Sequence, residues 1–302
     1  MIIGVGCVAL DDVLITGTTW GAGKGRVLSR SSQLGGNSRT ALTVAAGLGA
    51  PCAYLGTLSP AAEWSFVVED FRSHGVDLSF AAYADDVHPV LSTVIVTSDG
   101  ERYIAFDDSV LRRTELPGAV NVDAALAVAQ VMLVDATTAP PGTLELVRRA
   151  RELDIPVVVD AERQSAHGTS VTDVLALADH PVLPAAFAMD VTNTASPRQA
   201  AATLWERGCA SVVVTDGMHG AYARDASMGD VVQVPAFPIS ARNTNGCGDA
   251  FHGAYAVGLV DGREILDRVR LANAAAAVVA SRDTPDSRVP SRAEVESLLR
   301  CS

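Results

Sequence analysis

The sequence has almost no lysine: Lys24 is the single one, and arginine supplies the rest of its 23 cations. Positive charge is scarce altogether, since 35 Asp and Glu residues leave a formal charge of −12. A field of that sign repels nucleic acid and anionic membranes. Arg112-Arg113 and Arg148-Arg149 are isolated pairs, not a basic patch, so neither partner is expected. Long apolar runs are missing too; none approaches the roughly 20 residues of a membrane span. Met1-Ile2-Ile3-Gly4 has no basic stretch ahead of an apolar one, which predicts a cytoplasmic protein. The five cysteines (Cys7, Cys52, Cys209, Cys247, Cys301) are odd in number, far apart and never in C-x-x-C spacing. Free thiols in a reducing compartment are expected. The six histidines form no H-x-x-x-H pair and no cluster with cysteine, so zinc has no signature.

What remains is an ordinary globular composition, 302 residues with 48% apolar and 19% charged. A chain of this length buries about three quarters of its unfolded surface and needs neither disulfide nor metal to fold. Val131 to Val134, Pro156 to Val159 and Ser211 to Val214 are continuous apolar runs. Strands buried on both faces read this way. Helical stretches separate them: Thr143 to Leu153, Val171 to Ala178 and Pro197 to Arg207. The alternation predicts an α/β fold, a doubly wound and mainly parallel sheet flanked by helices. Each run ends in a polar residue, Asp135, Asp160 or Thr215-Asp216, at the strand ends where ligands of such sheets collect. Two pieces break the pattern. Val90 to Asp107 reads as two strands around Ser98-Asp99-Gly100, and Val13 to Leu34 is rich in Gly, Thr and Ser. They predict a small antiparallel β lid, from segments at about 12–34 and 88–109, on a single domain spanning 1–302. A further hairpin is expected at Tyr222 to Val234, and Leu271-Ala272-Asn273 is expected to open a buried helix.

Three glycine-rich stretches invite a phosphate-binding reading. Gly4-Val5-Gly6-Cys7-Val8-Ala9 fits G-x-G-x-x-A but has only three residues before it and strand-like text after it. The dinucleotide fingerprint needs a helix there, so the strand is expected to continue towards Asp11-Asp12. Gly21-Ala22-Gly23-Lys24-Gly25 lacks the hydroxyl residue and first glycine of a P-loop. Asn243-Thr244-Asn245-Gly246-Cys247-Gly248-Asp249 is different, because it runs straight into an apolar helix, Ala250 to Leu259. Free N–H groups and the dipole at a helix start make an anion site. A carboxylate in its middle is either an N-cap or a general base beside a phosphoryl group held by the amides of Gly246, Cys247 and Gly248. Leu34-Gly35-Gly36-Asn37-Ser38 opens a second helix, Arg39 to Leu48, with groups suited to a polyol.

Gly35-Gly36-Asn37, the Ala-rich helix after it and Leu48-Gly49-Ala50 resemble the first signature of the PfkB/ribokinase carbohydrate kinases. Asn243 to Asp249 resembles their second, some two hundred residues later, and the resemblance covers essentially the whole chain. Leu48 to Ala53 and Val68 to Asp77 are most similar to the ketohexokinase branch. Val234 to Phe237 and Asp249 to Ala254 are similar to the bacterial sulfofructose kinase branch.

The resemblance implies a ribokinase-like fold and an ATP-dependent kinase acting on a sugar's primary hydroxyl, a ketose or furanose such as fructose. It implies Asp249 as base and Gly246, Cys247 and Gly248 as the anion hole. Asp11 (or Asp12), Gly35, Gly36, Asn37 and Thr40 would hold the sugar. Thr215, Gly217 and Gly220 would lie along ATP, with Asn273 near the adenine. Lys24, in the lid, would contact an anionic or strongly polar group of the substrate; the other reading makes it a surface charge. Mg2+ is implied with ATP, but Pro184 to Phe187 retains neither residue of the family's N-x-x-E motif, so its ligands are unassigned. Asn243 replaces the first Asp of the second signature, which argues against a potassium site. A homodimer through the lid follows by analogy. The alternatives are a nucleoside kinase, with Tyr103 and Phe106 stacking on a base, or a catalytically silent sugar- or nucleotide-binding regulator.

Overall fold

A computed structural model describes residues 1–18, 25–98, 102–165, 169–282 and 289–300. The chain opens with strands β1 (Ile2–Val5), β2 (Ala9–Thr16) and β3 (Val27–Gly35), then helix α1 (Asn37–Gly47). Next come β4 (Cys52–Tyr54), β5 (Thr57–Leu58), α2 (Ser65–Ser73), β6 (Val76–Asp77) and β7 (Ala82–Tyr83). A strand pair, β8 (Val90–Val96) and β9 (Arg102–Asp107), precedes α3 (Ala119–Val128). The alternating part follows: β10 (Val131–Asp135), α4 (Thr143–Glu152), β11 (Val157–Asp160), α5 (Val171–Ala176) and β12 (His180–Pro184). It continues through α6 (Ala185–Thr192), α7 (Pro197–Trp205), β13 (Ser211–Thr215), β14 (Ala221–Asp225) and β15 (Val232–Val234). Helices α8 (Cys247–Val260), α9 (Ile265–Ala280) and α10 (Arg292–Arg300) end it.

The main sheet has the order β15-β14-β13-β12-β11-β10-β1-β4-β6. Pairing is parallel from β12 through β6 and from β12 to β13, and antiparallel only across β13-β14-β15. The central strands β1, β10 and β11 are buried along their whole length because helices cover both faces. On one face α1, α8 and α9 bury Leu42, Phe251, Tyr255 and Ala272; on the other, the helices between α3 and α7 bury Leu126, Leu146 and Ala200. This is the predicted doubly wound α/β fold. Among the described residues no helix is long and apolar enough to cross a membrane, and Cys7, Cys52, Cys209 and Cys247 are free thiols.

A second sheet, β3-β2-β8-β9, stands beside the first. Its two antiparallel pairs, β2–β3 and β8–β9, join through a parallel pairing of β2 with β8. This is the predicted small β lid. The first strand does not continue into Asp11-Asp12 as expected; β1 stops at Val5, and Gly6-Cys7-Val8 carries the chain out of the main sheet into β2. The helix expected to open at Leu271 starts at Ile265, because its exposed Leu266, Asp267 and Arg270 hide the apolar pattern of its first turns.

Candidate active site

The loops after β10 and β11, the first turns of α1 and α8, and the inner face of the lid line an open cavity of about 1480 Å³. Its walls include Asp11, Gly35, Gly36, Asn37, Thr40, Gly246, Gly248 and Asp249. The two glycine-rich motifs therefore meet across one space, although two hundred residues separate them.

The lid contributes Asp11. Its carboxylate lies over Gly35, where an added Cβ would come within 2.5 Å of Asp11 Oδ2, and the Ser92 hydroxyl donates to it. Asp12, one residue on, faces the other side of the strand, where it pairs with Arg30 and accepts from Ser32. Of the two aspartates, Asp11 borders the cavity and Asp12 does not. Gly36 turns the chain from β3 into α1 with φ 94, and a Cβ would sit 2.6 Å from the Cys7 carbonyl oxygen. Only glycine fits there. The turn presents Asn37, whose Nδ2 donates to Asp160 Oδ2 at 3.3 Å.

Gly246 caps α8 in the left-handed region, φ 72, without a side-chain cap bond. Asp249 is therefore not the N-cap; it stands at the third helical position, and its carboxylate opens onto the cavity. The first-turn amides lie beside it, as at any helix start, with the Cys247 N–H leaning on the Thr244 carbonyl at 3.4 Å. Across the gap, the Thr40 methyl packs near Gly246.

Behind Asp249 stand two more carboxylates. Asp135, 2% exposed, accepts from the amides of Thr137 and Thr138 and from the Thr138 hydroxyl. Burial still raises it to about 6. Asp160 is held well above the usual carboxylate range, by burial first and by Asp135 next. Asp249 is pushed up to about 8, again by burial first and then by the charge on Asp160, with His252 opposing. Asp249 keeps partial contact with the open cavity, where water moderates the shift. Burial and like charge act in the same direction on all three.

Several wall residues escaped the motif reading. Arg163, three residues past β11, stacks its guanidinium 4.6 Å from the ring of Phe106 on β9, and both line the cavity with Glu162 and Ile104. Arg163 has no acidic partner among the described residues, whereas Arg39 in the same wall is bound to Asp70. Its one sequence signal is position, just after a strand-end aspartate. Other expected contacts lie elsewhere. Thr215 ends β13, and Gly217 and Gly220 frame the turn into β14; none of them borders this cavity. The Asn273 amide is buried and donates to the carbonyls of Val234 and Pro235. It ties α9 to the end of β15. Lys24 lies outside the described residues.

Residues 12–292 match the family model of the pfkB family carbohydrate kinases. The chain belongs to that family. A 5-dehydro-2-deoxygluconokinase of Bacillus licheniformis is 24% identical over 290 residues, 91% of this chain and 89% of its own. A ketohexokinase of Mus musculus is 40% identical over 87 residues, 28% of this chain and 29% of its own. The structure of Arabidopsis thaliana ribokinase with ribose and ATP aligns with a TM-score of 0.83 at 19% identity, over 100% of this chain and 99% of that one. The protein is accordingly a sugar kinase, a phosphotransferase with an alcohol group as acceptor.

Proposed function

We propose that the protein moves the γ-phosphoryl group of ATP onto a primary hydroxyl of a ketose or furanose such as fructose. The observation that carries this reading is the convergence of Asp11, Gly35-Gly36-Asn37 and Asp249 on one cavity. Asp11, Asn37 and Thr40 hold the sugar hydroxyls, and Asp249 takes the proton of the acceptor hydroxyl as its oxygen bonds to the γ-phosphorus. The bond from that phosphorus to the bridging oxygen breaks, and ADP leaves. The amides of Gly246, Cys247 and Gly248 serve as the anion hole for the charge spread over the transferred group, since such transfers depend on positioning and electrostatics. ATP lies along Thr215, Gly217 and Gly220. Among the described residues no three acidic, His or Cys side chains gather to hold a metal. Mg2+ would arrive on triphosphate oxygens and water, and no step here is assigned to it.

A second reading of the acceptor rests on Arg163. A guanidinium without an acidic partner, stacked on Phe106 in the cavity wall of a strongly acidic chain, suits a sugar that carries a carboxylate. The relative named 5-dehydro-2-deoxygluconokinase fits that acceptor class, and Lys24 is a second candidate cation. A coupled ADP-release screen across ketoses, pentoses, keto sugar acids, sugar phosphates and nucleosides tests both readings. Turnover is expected on a ketose or a keto sugar acid; turnover on nucleosides alone overturns both. If the acceptor is acidic, Arg163→Gln raises its KM and leaves the KM for ATP unchanged. We also propose a homodimer through the lid, whose outer face exposes Leu28, Leu91 and Tyr103.

A further inference from the structure

His252 stands on α8 one turn past Asp249, 4% exposed. Each of its two ring nitrogens meets a backbone carbonyl oxygen, which can only accept. Nδ1 lies 2.7 Å from the carbonyl oxygen of Gly248, and Nε2 lies 2.8 Å from that of Val182 on β12 and 3.4 Å from Asp160 Oδ1. A neutral imidazole carries one N–H, so one of its nitrogens would turn a lone pair on a carbonyl lone pair. The imidazolium satisfies both contacts.

The surroundings ask for a cation. On α8 itself Asp249 precedes it, with the Phe251 ring beside it. The end of β11 contributes Asp160, the loop after it Glu162, and the end of β10 Asp135; all three charges reach Asp249. From α1 the neutral Asn37 donates to Asp160, and β12 contributes the Val182 carbonyl. Among the described residues no arginine or lysine bonds to Asp135, Asp160 or Asp249.

We propose that His252 is held as an imidazolium and is the positioning residue of this site. One N–H ties the first turn of α8, at the Gly248 carbonyl, and the other ties the strand ends at Val182 and Asp160. Its charge lets Asp249 ionise among three other carboxylates, and through Asp160 it orients the Asn37 amide. The proposal rests on the reading of Asp249 as the base.

Nitrogen-15 NMR of the imidazole rings in the full chain tests the protonation without needing turnover. Both nitrogens of His252 are expected to carry protons at pH 7.5. A nitrogen with the signature of a bare lone pair at pH 7.5 overturns the proposal. His252→Gln then tests the function on the acceptor found by the ADP-release screen. Removing the cation moves the acidic limb of kcat/KM upward by about one pH unit. The variant is therefore impaired at every pH by the lost ties, and about tenfold more on the limb than above it. An equal loss at every pH marks a merely structural residue and also overturns the proposal. If no acceptor turns over, the kinase reading has failed and the NMR result still decides the state of His252.

Discussion

Asp249 opens on the cavity at the third position of α8 while Asp135 and Asp160 crowd it from behind, and two measurable consequences follow from that placement. Asp249→Asn preserves the size of the side chain and removes the base, so kcat should fall by about 10²–10⁴; retention of most of the turnover would remove the assignment. Stability should move the other way. Folded, Asp249 keeps its proton to about 8, whereas unfolded it loses it near 3.8. Between those values the folded state binds the extra proton. The stabilisation it brings is complete below the lower value and is lost as pH rises through the upper one. Thermal melts of Asp249→Asn should match wild type near pH 4 and exceed it increasingly towards pH 9. Asn243 carries a prediction of its own. It is neutral where the family pattern has an aspartate, and its Oδ1 already accepts from the Asn245 amide at 2.9 Å. Activity should need a divalent ion but gain little from potassium over sodium, which a cation-exchange titration of the rate decides.

At the scale of elements, α1 and α8 cross so closely that a Cβ on Gly253 would lie 2.2 Å from the Ala41 carbonyl oxygen. Both helices start at the cavity, so this contact sets the distance between Asn37 and Asp249. Gly253→Val must push them apart, at a cost on the order of 1–3 kcal/mol. The urea midpoint should drop, and kcat with it. The elements also show what could be read from sequence. The Gly-Gly-Asn turn and the Gly246 turn are local: each motif builds its own helix start, so Asn37, Thr40 and Asp249 were legible. The strand-end aspartates were visible as a pattern, but their task was not. Asp160 acquires one from Asn37 and His252, which lie 123 and 92 positions away in the chain and meet it only through strand order. Arg163 was hidden for the same reason, since its partner Phe106 belongs to the other sheet. The departure of β2 from the main sheet was also beyond local reading, because Val8-Ala9-Leu10 suits a strand in either sheet.

For the molecule as a whole, the lid has two faces of different character. Its inner face carries Asp11, Ser92, Ile104 and Phe106 into the cavity, and its outer face leaves Leu28 62% and Tyr103 46% exposed. Outer apolar residues on a sheet with open edges favour pairing of two lids. Sedimentation should find a dimer at micromolar concentration and a monomer for Leu28→Asp with Tyr103→Glu; a wild-type monomer would remove the lid interface. The division between the sheets bears on the acceptor as well. Asp11 rides on β2, joined to the body through Gly6-Cys7-Val8, while Asp249 is rooted in the body through α8. On the proposed reading the base and the amides facing the phosphoryl group sit together on one helix, so the second sheet adds nothing to the transfer itself. What it adds through Asp11 is a grip on the far side of the sugar. Selectivity for the acceptor and the power to transfer are thereby housed in different sheets, and Asp11→Ala should raise the KM of the acceptor more than it lowers kcat.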